Sequence, residues 1–349
     1  GVNPGLLAGS GSWTCAVAPA LAQAEERVAT TDPALQGLGG LAISPDGLRA
    51  YGVNASRDTL LLFTRAPDGS LGAPVEIVDG GSFGGMTVQG LDGASAVAVS
   101  DDGLTILVTG AVDNSLAVFA FDPGTATHRY VQTFTSGSGG VSGLLGAEDV
   151  AIAPDGEFVY VAAPAADAIA IFRRDATAGT LGFVGRVRDG FGTIAPDSEV
   201  IRRVHRLWLS DDGRNLYALA RGQANASAEA VSSFARDAQT GDLAYLGVLR
   251  RSGVPTLAGL RDVTAAPGDP QLYVLGEAAL VRLDRAADGR LQFASALSGS
   301  PGLERPRAVL SDEQGARVYL VDGGGALTVY ARDWSTGNLA YRQRIAAVT

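Results

Sequence analysis

The chain contains no lysine, because all 27 of its basic residues are arginines. This absence removes P-loop and Schiff-base chemistry, since both need a lysine ammonium group. Cysteine occurs once, at Cys15, so no internal disulfide, CxxC pair or cysteine zinc cluster can form. The two histidines, His128 and His205, lack the HExxH spacing of a zinc site. We therefore predict no cofactor, with a divalent cation at the site as the alternative.

Long apolar runs and basic patches are also missing. No uninterrupted apolar run approaches the roughly 18 residues of a membrane-spanning helix. The formal net charge is −10, and no basic cluster interleaved with aromatic residues offers a footprint for phosphate. We therefore predict neither membrane insertion nor nucleic-acid binding. The chain starts at Gly1 without a signal-peptide segment, as in a processed or excised piece, which leaves the compartment open. With the module of an exported or surface protein that we favour below, we expect an extracellular or periplasmic location.

What the sequence does contain is a repeat of about 54 residues, marked by turns such as "SPDG" and "SDDG". The turn glycines are Gly47, Gly103, Gly156, Gly213, Gly268 and Gly315. Each repeat gives a short apolar strand, the turn, a second strand, a third strand that usually ends in an aromatic residue, and a fourth strand. No helical apolar periodicity is sustained. The pattern predicts an all-β fold of four-stranded β-propeller blades that cover one another in a ring.

At the segments "AISPDGLRAYGV", "AVSDDGLTILVT", "AIAPDGEFVYVA" and "WLSDDGRNLYAL", the chain resembles the YVTN-type repeat propellers and the lactonase-like β-propeller family. The resemblance covers residues 41–349. It implies a site at the central mouth of the ring, where that family places His, Arg and Glu side chains in linkers that lead into the innermost strands. The family pattern also has a histidine where this chain has Ala308.

The number of blades depends on the first 40 residues. Residues 26–40 read as a fourth strand with a linker, and "SWTCAVA" before them reads as a third strand. We therefore predict an N-terminal partial blade and linker over residues 1–40, which closes the ring with six repeats over residues 41–349. That makes seven blades in a single domain. Six blades, with residues 1–30 packed outside, is the alternative.

The positions that lead into the innermost strands supply the candidate site. The predicted mouth residues are Glu148, Asp149, Arg203, His205, Arg261, Asp262 and Arg307. We favour a hydrogen-bonded structural role for His205. Alternatively, His205 acts as a general base, because histidine titrates near neutral pH. In that case Glu148 and Arg203 are the other catalytic candidates. His128 lies in a hairpin and is predicted to be on the surface.

Two functions compete. The first is a non-catalytic propeller module of an exported or surface protein, which binds a protein, a glycan or a neighbouring subunit. The second is a lactonase-like hydrolase of small lactones or phosphorylated sugar lactones. The departure at Ala308 and the presence of only two histidines favour the module. A fold does not by itself decide between them.

Overall fold

The computed structural model describes residues 37–190, 194, 199–222, 229–266, 268, 270–312 and 314–345. These residues form six four-stranded antiparallel sheets in chain order, which we call blades 1 to 6. The only helix in the described part of the chain is a 3-10 turn at Pro255–Leu257. No helix among these residues has the length and apolar character needed to cross a membrane. The all-β propeller fold predicted from the repeats is confirmed.

The chain divides into two compact units, with blades 1 to 3 in unit 1 and blades 4 to 6 in unit 2. Blade 1 consists of β1 (Leu38–Ile43), β2 (Arg49–Asn54), β3 (Thr59–Thr64) and β4 (Val75–Val78). A small hairpin of β5 (Ser82–Phe83) and β6 (Met86–Thr87) follows. Blade 2 consists of β7 (Ala94–Val99), β8 (Thr105–Gly110), β9 (Ser115–Asp122) and β10 (Thr127–Thr135). Blade 3 consists of β11 (Asp149–Ile152), β12 (Phe158–Ala163), β13 (Ala168–Asp175) and β14 (Thr180–Arg188).

Unit 2 repeats the same plan. Blade 4 consists of β15 (Val204–Leu209), β16 (Asn215–Ala220), β17 (Ala230–Arg236) and β18 (Leu243–Arg250). Blade 5 consists of β19 (Asp262–Ala265), β20 (Gln271–Leu275), β21 (Ala279–Arg285) and β22 (Leu291–Ser298). Blade 6 consists of β23 (Pro306–Ser311), β24 (Arg317–Asp322), β25 (Leu327–Arg332) and β26 (Leu339–Ile345).

The first hairpin of each repeat is set by local chemistry. In blade 1, the Asp46 carboxylate accepts hydrogen bonds from the Ser44 hydroxyl at 2.6 Å and from the amide of Leu48 at 3.0 Å. Gly47 has a φ of +68°, a value that a residue with a Cβ adopts only with strain. The same contacts recur at Ser100–Asp102 and Ser210–Asp212. The turn therefore needs the glycine for its positive φ and the aspartate for the hydrogen bonds that its carboxylate accepts.

Neighbouring blades of a unit share apolar cores. One cluster joins blades 4 and 5, and another joins blades 5 and 6. The second-strand tyrosines lie in these layers, where Tyr217 and Tyr273 are almost fully buried. Their hydroxyls donate to carbonyls of the next blade, at Gly289 (3.0 Å) and Gly337 (2.7 Å). Because full burial of a large apolar side chain contributes about 1.5–3 kcal/mol, each blade stabilises its neighbours.

In four of the blades, an arginine at the end of the third strand forms a hydrogen bond with the turn of the first hairpin. Its guanidinium donates to the carbonyl of the turn glycine in the pairs Arg65–Gly47, Arg174–Gly156, Arg236–Gly213 and Arg332–Gly315. Arg174 also reaches blade 2, where it donates to Asp102 at 2.5 Å and to the Thr105 hydroxyl at 2.8 Å. A guanidinium offers several donors in fixed directions, which suits this role better than an ammonium group.

The six described blades match the six-blade alternative. The partial blade predicted over residues 1–40 falls mostly outside the described residues, and it stays a prediction. Its last residues are described, and they belong to β1, which begins at Leu38. Within unit 1, β1 contacts β7 and β7 contacts β11, and within unit 2 β19 contacts β15 and β23. The first strands of successive blades are therefore neighbours, as expected of innermost strands.

Candidate functional site

One position at the start of the first strand carries most of the candidate side chains. It lies twelve residues before the second-strand tyrosine, or before Leu107 in blade 2. Its occupants are Gly39, Ser95, Glu148, His205, Arg261 and Arg307. In blades 1, 2, 4 and 6 the strand register shifts at this residue, which makes it a β-bulge. Because bulges re-aim a side chain and are common beside active sites, the repeat itself creates a recurring position suited to function.

In blade 2 this position makes a contact with the linker that leads into blade 3. The Ser95 hydroxyl lies 2.9 Å from the Thr109 hydroxyl, and it donates to the Ala147 carbonyl at 2.8 Å. Glu148, half-buried, donates its amide to the Ala162 carbonyl within blade 3. Asp149 is fully buried at the start of β11. The sequence prediction placed Glu148 and Asp149 at the mouth, and the structure places both at the start of a first strand.

His205 is the bulge residue of β15, and its side chain is only 3% exposed. Burial lowers its pKa well below the usual range, and the positive charges of Arg221 and Arg206 lower it further. The backbone of Leu260 and Arg203 opposes part of that shift. Neither ring nitrogen meets hydrogen-bond geometry with a partner among the described residues. The imidazole is therefore neutral at physiological pH.

Three exposed arginines lie at the starts of β15, β19 and β23. Arg203 precedes β15, Arg261 precedes β19, and Arg307 is the bulge residue of β23; all three are exposed. Arg203 has a φ of +54°, which is rare for a residue with a side chain and is often retained at functional sites. The predicted carboxylate here, Asp262, is buried and paired with Arg206. Each of these guanidinium groups can bind an anionic ligand.

The structure links some of the predicted site residues through residues next to them in the sequence. The charge of Arg206 and the backbone of Leu260, which precedes Arg261, both shift the pKa of His205. Asp262 contacts both β15 and β23. The sequence interpretation missed Arg206, although a charged residue within the apolar strand "VHRLWLS" was a signal. The prediction that all seven residues gather at one mouth involves both units and stays a prediction.

The prediction for His128 was wrong. This side chain is half-buried, and its Nε2 lies 3.0 Å from the Tyr51 hydroxyl. Its ring packs 4.8 Å from the ring of Phe121, on which the Arg49 guanidinium stacks at 3.6 Å. Burial, reinforced by the charge of Arg49, lowers the pKa of His128 to about 4. The residue is part of the packing between blades 1 and 2.

No metal centre is evident among the described residues, where no group of three or more His, Cys, Asp or Glu side chains is arranged to hold an ion. The predicted absence of a cofactor, and the alternative of a divalent cation, stay predictions. The three exposed arginines near β15, β19 and β23 carry guanidinium groups, which bind anions rather than metals.

Comparison with known proteins identifies the family. The model of the family "Lactonase, 7-bladed beta-propeller" matches residues 37–190 and 85–246, which together span more than half of the chain. The chain belongs to this lactonase family. A search of curated proteins gives no match. The family resemblance stated from the repeat segments is confirmed.

Solved structures share the fold at low identity. A putative 6-phosphogluconolactonase from Bacteroides fragilis is 16% identical, with a TM-score of 0.68 over 88% of this chain and 84% of the other. The periplasmic gluconolactonase of Pseudomonas aeruginosa is 20% identical, with a TM-score of 0.68 over 88% and 85%. Hydrazine synthase from Kuenenia stuttgartiensis is 19% identical, with a TM-score of 0.59 over 84% and 76%. The last of these carries a different activity on a similar fold, so the likeness fixes the architecture alone.

Proposed function

We propose that the protein hydrolyses a lactone that carries an anionic group, such as a phosphorylated sugar lactone. The observation that carries this proposal is the pair of exposed arginines, Arg261 and Arg307, at the same repeat position of blades 5 and 6. Membership of the lactonase family supports it, as do the similar structures named as gluconolactonases. The comparisons favour this alternative over the non-catalytic module that the sequence favoured.

Hydrolysis of a lactone needs few catalytic groups from the protein. Water adds to the lactone carbonyl carbon, the ring carbon–oxygen bond breaks, and the ring oxygen takes up a proton to become a hydroxyl. The product is a hydroxy acid, which ionises to a carboxylate. Negative charge develops on the carbonyl oxygen during addition, and preorganised cationic donors aimed at that oxygen lower the barrier. Arg261 and Arg307 would supply these donors and hold the anionic group of the substrate.

The buried imidazole argues against direct contact between His205 and the substrate. Both of its nitrogens are closed to solvent, although a neutral imidazole is the protonation state that a general base needs. We therefore assign the main effect to the arginines and a structural role to His205. Glu148 and Arg203 remain candidates from the sequence with no assigned step.

The test is an assay of acid release from phosphorylated and unphosphorylated lactones, corrected for spontaneous ring opening. The parent should exceed the buffer rate, and Arg261→Gln and Arg307→Gln should each reduce kcat/KM by roughly 100- to 1000-fold, in line with the loss of one oxyanion donor. Arg342→Gln is the matched control, because Arg342 is exposed on the outer strand β26 of the same unit. It should keep the parent activity.

Two results would change the assignment. Loss of activity in a folded His205→Gln variant, with the arginine variants active, would make His205 the base. An inactive parent that still binds inorganic phosphate would favour the non-catalytic module. On location, the similar periplasmic gluconolactonase supports placing this protein outside the cytoplasm.

A further inference from the structure

One buried carboxylate connects three consecutive first strands of unit 2. Asp262 opens β19 and is 7% exposed. One of its oxygens accepts the amide of Val309 in β23 at 3.0 Å, and the other lies 3.4 Å from Nε of Arg206 in β15. Blades 4, 5 and 6 are thus linked through a single side chain.

The repeat does not require a carboxylate at this place. The equivalent residues are Gly40 in blade 1, Ala96 in blade 2 and Ala308 in blade 6, whereas Asp149, Arg206 and Asp262 occupy blades 3, 4 and 5. Small residues suit the close approach of first strands: a Cβ on Gly40 would lie 3.3 Å from the Ser95 carbonyl oxygen of β7. A buried charge is costly unless it is paired and hydrogen-bonded. The presence of Asp262 therefore needs a reason beyond the fold.

The surroundings of Asp262 suggest that reason. Arg261 directly precedes Asp262 in the sequence. Arg307 lies two residues before Val309, whose amide donates a hydrogen bond to the Asp262 carboxylate. Arg206, its ion-pair partner, directly follows His205. The contacts with Arg206 and Val309 therefore lie within two residues of candidate site groups. Burial raises the pKa of Asp262, and the Arg206 charge and the amides of Val309 and Val263 oppose that rise.

We propose that Asp262 is a positioning residue, which sets the spacing of Arg261 and Arg307 and the placement of Arg206 beside His205. This inference rests on the proposed function, because it names what orients the arginines that act there. Asp262 touches neither substrate nor reacting atoms in this role. Misplacement of a group by about 1 Å can reduce a rate by about 100-fold, so small movements of the arginines would be measurable.

The test compares Asp262→Asn with Asp262→Ala. The asparagine retains an oxygen that can accept the Val309 amide and loses the charge that faces Arg206, while alanine loses both. We expect kcat to fall roughly tenfold in Asp262→Asn and further in Asp262→Ala, because a shifted arginine affects the rate more than the binding. Asp102→Asn is the matched control, since that carboxylate also pairs with an arginine of a neighbouring blade but lies on a hairpin turn of unit 1.

A second readout does not depend on turnover. The chain has two histidines, so the imidazole Cε1–H signal of His205 can be assigned in NMR spectra with a His128 variant. This signal should move in Asp262→Asn and stay in Asp102→Asn. A folded Asp262→Asn variant with parent kcat and an unmoved His205 signal would overturn the inference. If the parent hydrolyses no lactone, the proposed function fails, and the His205 signal then decides alone whether Asp262 positions this site.

Discussion

Replacement of Arg174 by lysine should destabilise unit 1 although the charge is kept. The guanidinium is buried and donates through three nitrogens, to the Thr105 hydroxyl at 2.8 Å, to the Asp102 carboxylate at 2.5 Å and to the Gly156 carbonyl at 3.3 Å. One ammonium group cannot reach three acceptors in these directions. Because a hydrogen bond to a charged group contributes about 1.5–3 kcal/mol, losing two of them should cost about 3 kcal/mol.

The assay is differential scanning calorimetry of Arg174→Lys beside Arg173→Lys. Arg173 is the adjacent residue of β13, its side chain is 64% exposed, and its distance to Glu157 is 3.8 Å. Its replacement should change stability by less than about 0.5 kcal/mol. For a unit of this size, about 3 kcal/mol corresponds to a fall in Tm of roughly 6–12 °C. Equal melting temperatures for the two variants would refute the view that directed guanidinium donors hold the blades together.

Three further results are expected. Because the folded pKa of His128 is about 4, below its usual 6.5, stability should be lost as pH falls from 6.5 to 4, by clearly less than about 3 kcal/mol because solvent screens the half-buried ring, and His128→Phe should show a smaller loss in urea unfolding over that range. Gly40→Val should lower Tm, because its Cβ would press on the Ser95 carbonyl, whereas Gly182→Val, where a Cβ meets nothing within 4 Å, should not. Removal of residues 1–35 should lower Tm strongly if they form a seventh blade, and an unchanged Tm would support six blades.

The strands and hairpins of this protein could be predicted from local signals. The turn "SPDG" determines its own geometry, since Asp46 binds Ser44 and Leu48 and Gly47 adopts a positive φ, and all of these residues are neighbours in sequence. Repetition of this turn marks every blade. Fold class therefore required no knowledge of distant contacts.

The environment of single side chains could not be predicted in this way. His128 was expected on the surface, but its partner Tyr51 is 77 residues away in another blade. Aspartate is a residue type expected at exposed positions, yet Asp262 is buried, and β15 and β23 supply its partners. Candidate site residues were predicted from their place in the repeat, while the pKa shifts of His205 and Asp262 follow from packing between blades. The neutral state of His205 is the clearest case, because burial is its first cause.

The most direct test of a lactonase site built on first-strand arginines is the double variant Arg261→Gln/Arg307→Gln. The measurement is the initial rate of acid release from a phosphorylated sugar lactone and from its unphosphorylated counterpart. The parent should exceed the buffer rate and prefer the phosphorylated lactone, and the double variant should lose at least about 100-fold in kcat/KM at an unchanged Tm. A parent that never exceeds the buffer rate, or a double variant as active as the parent, would contradict the account.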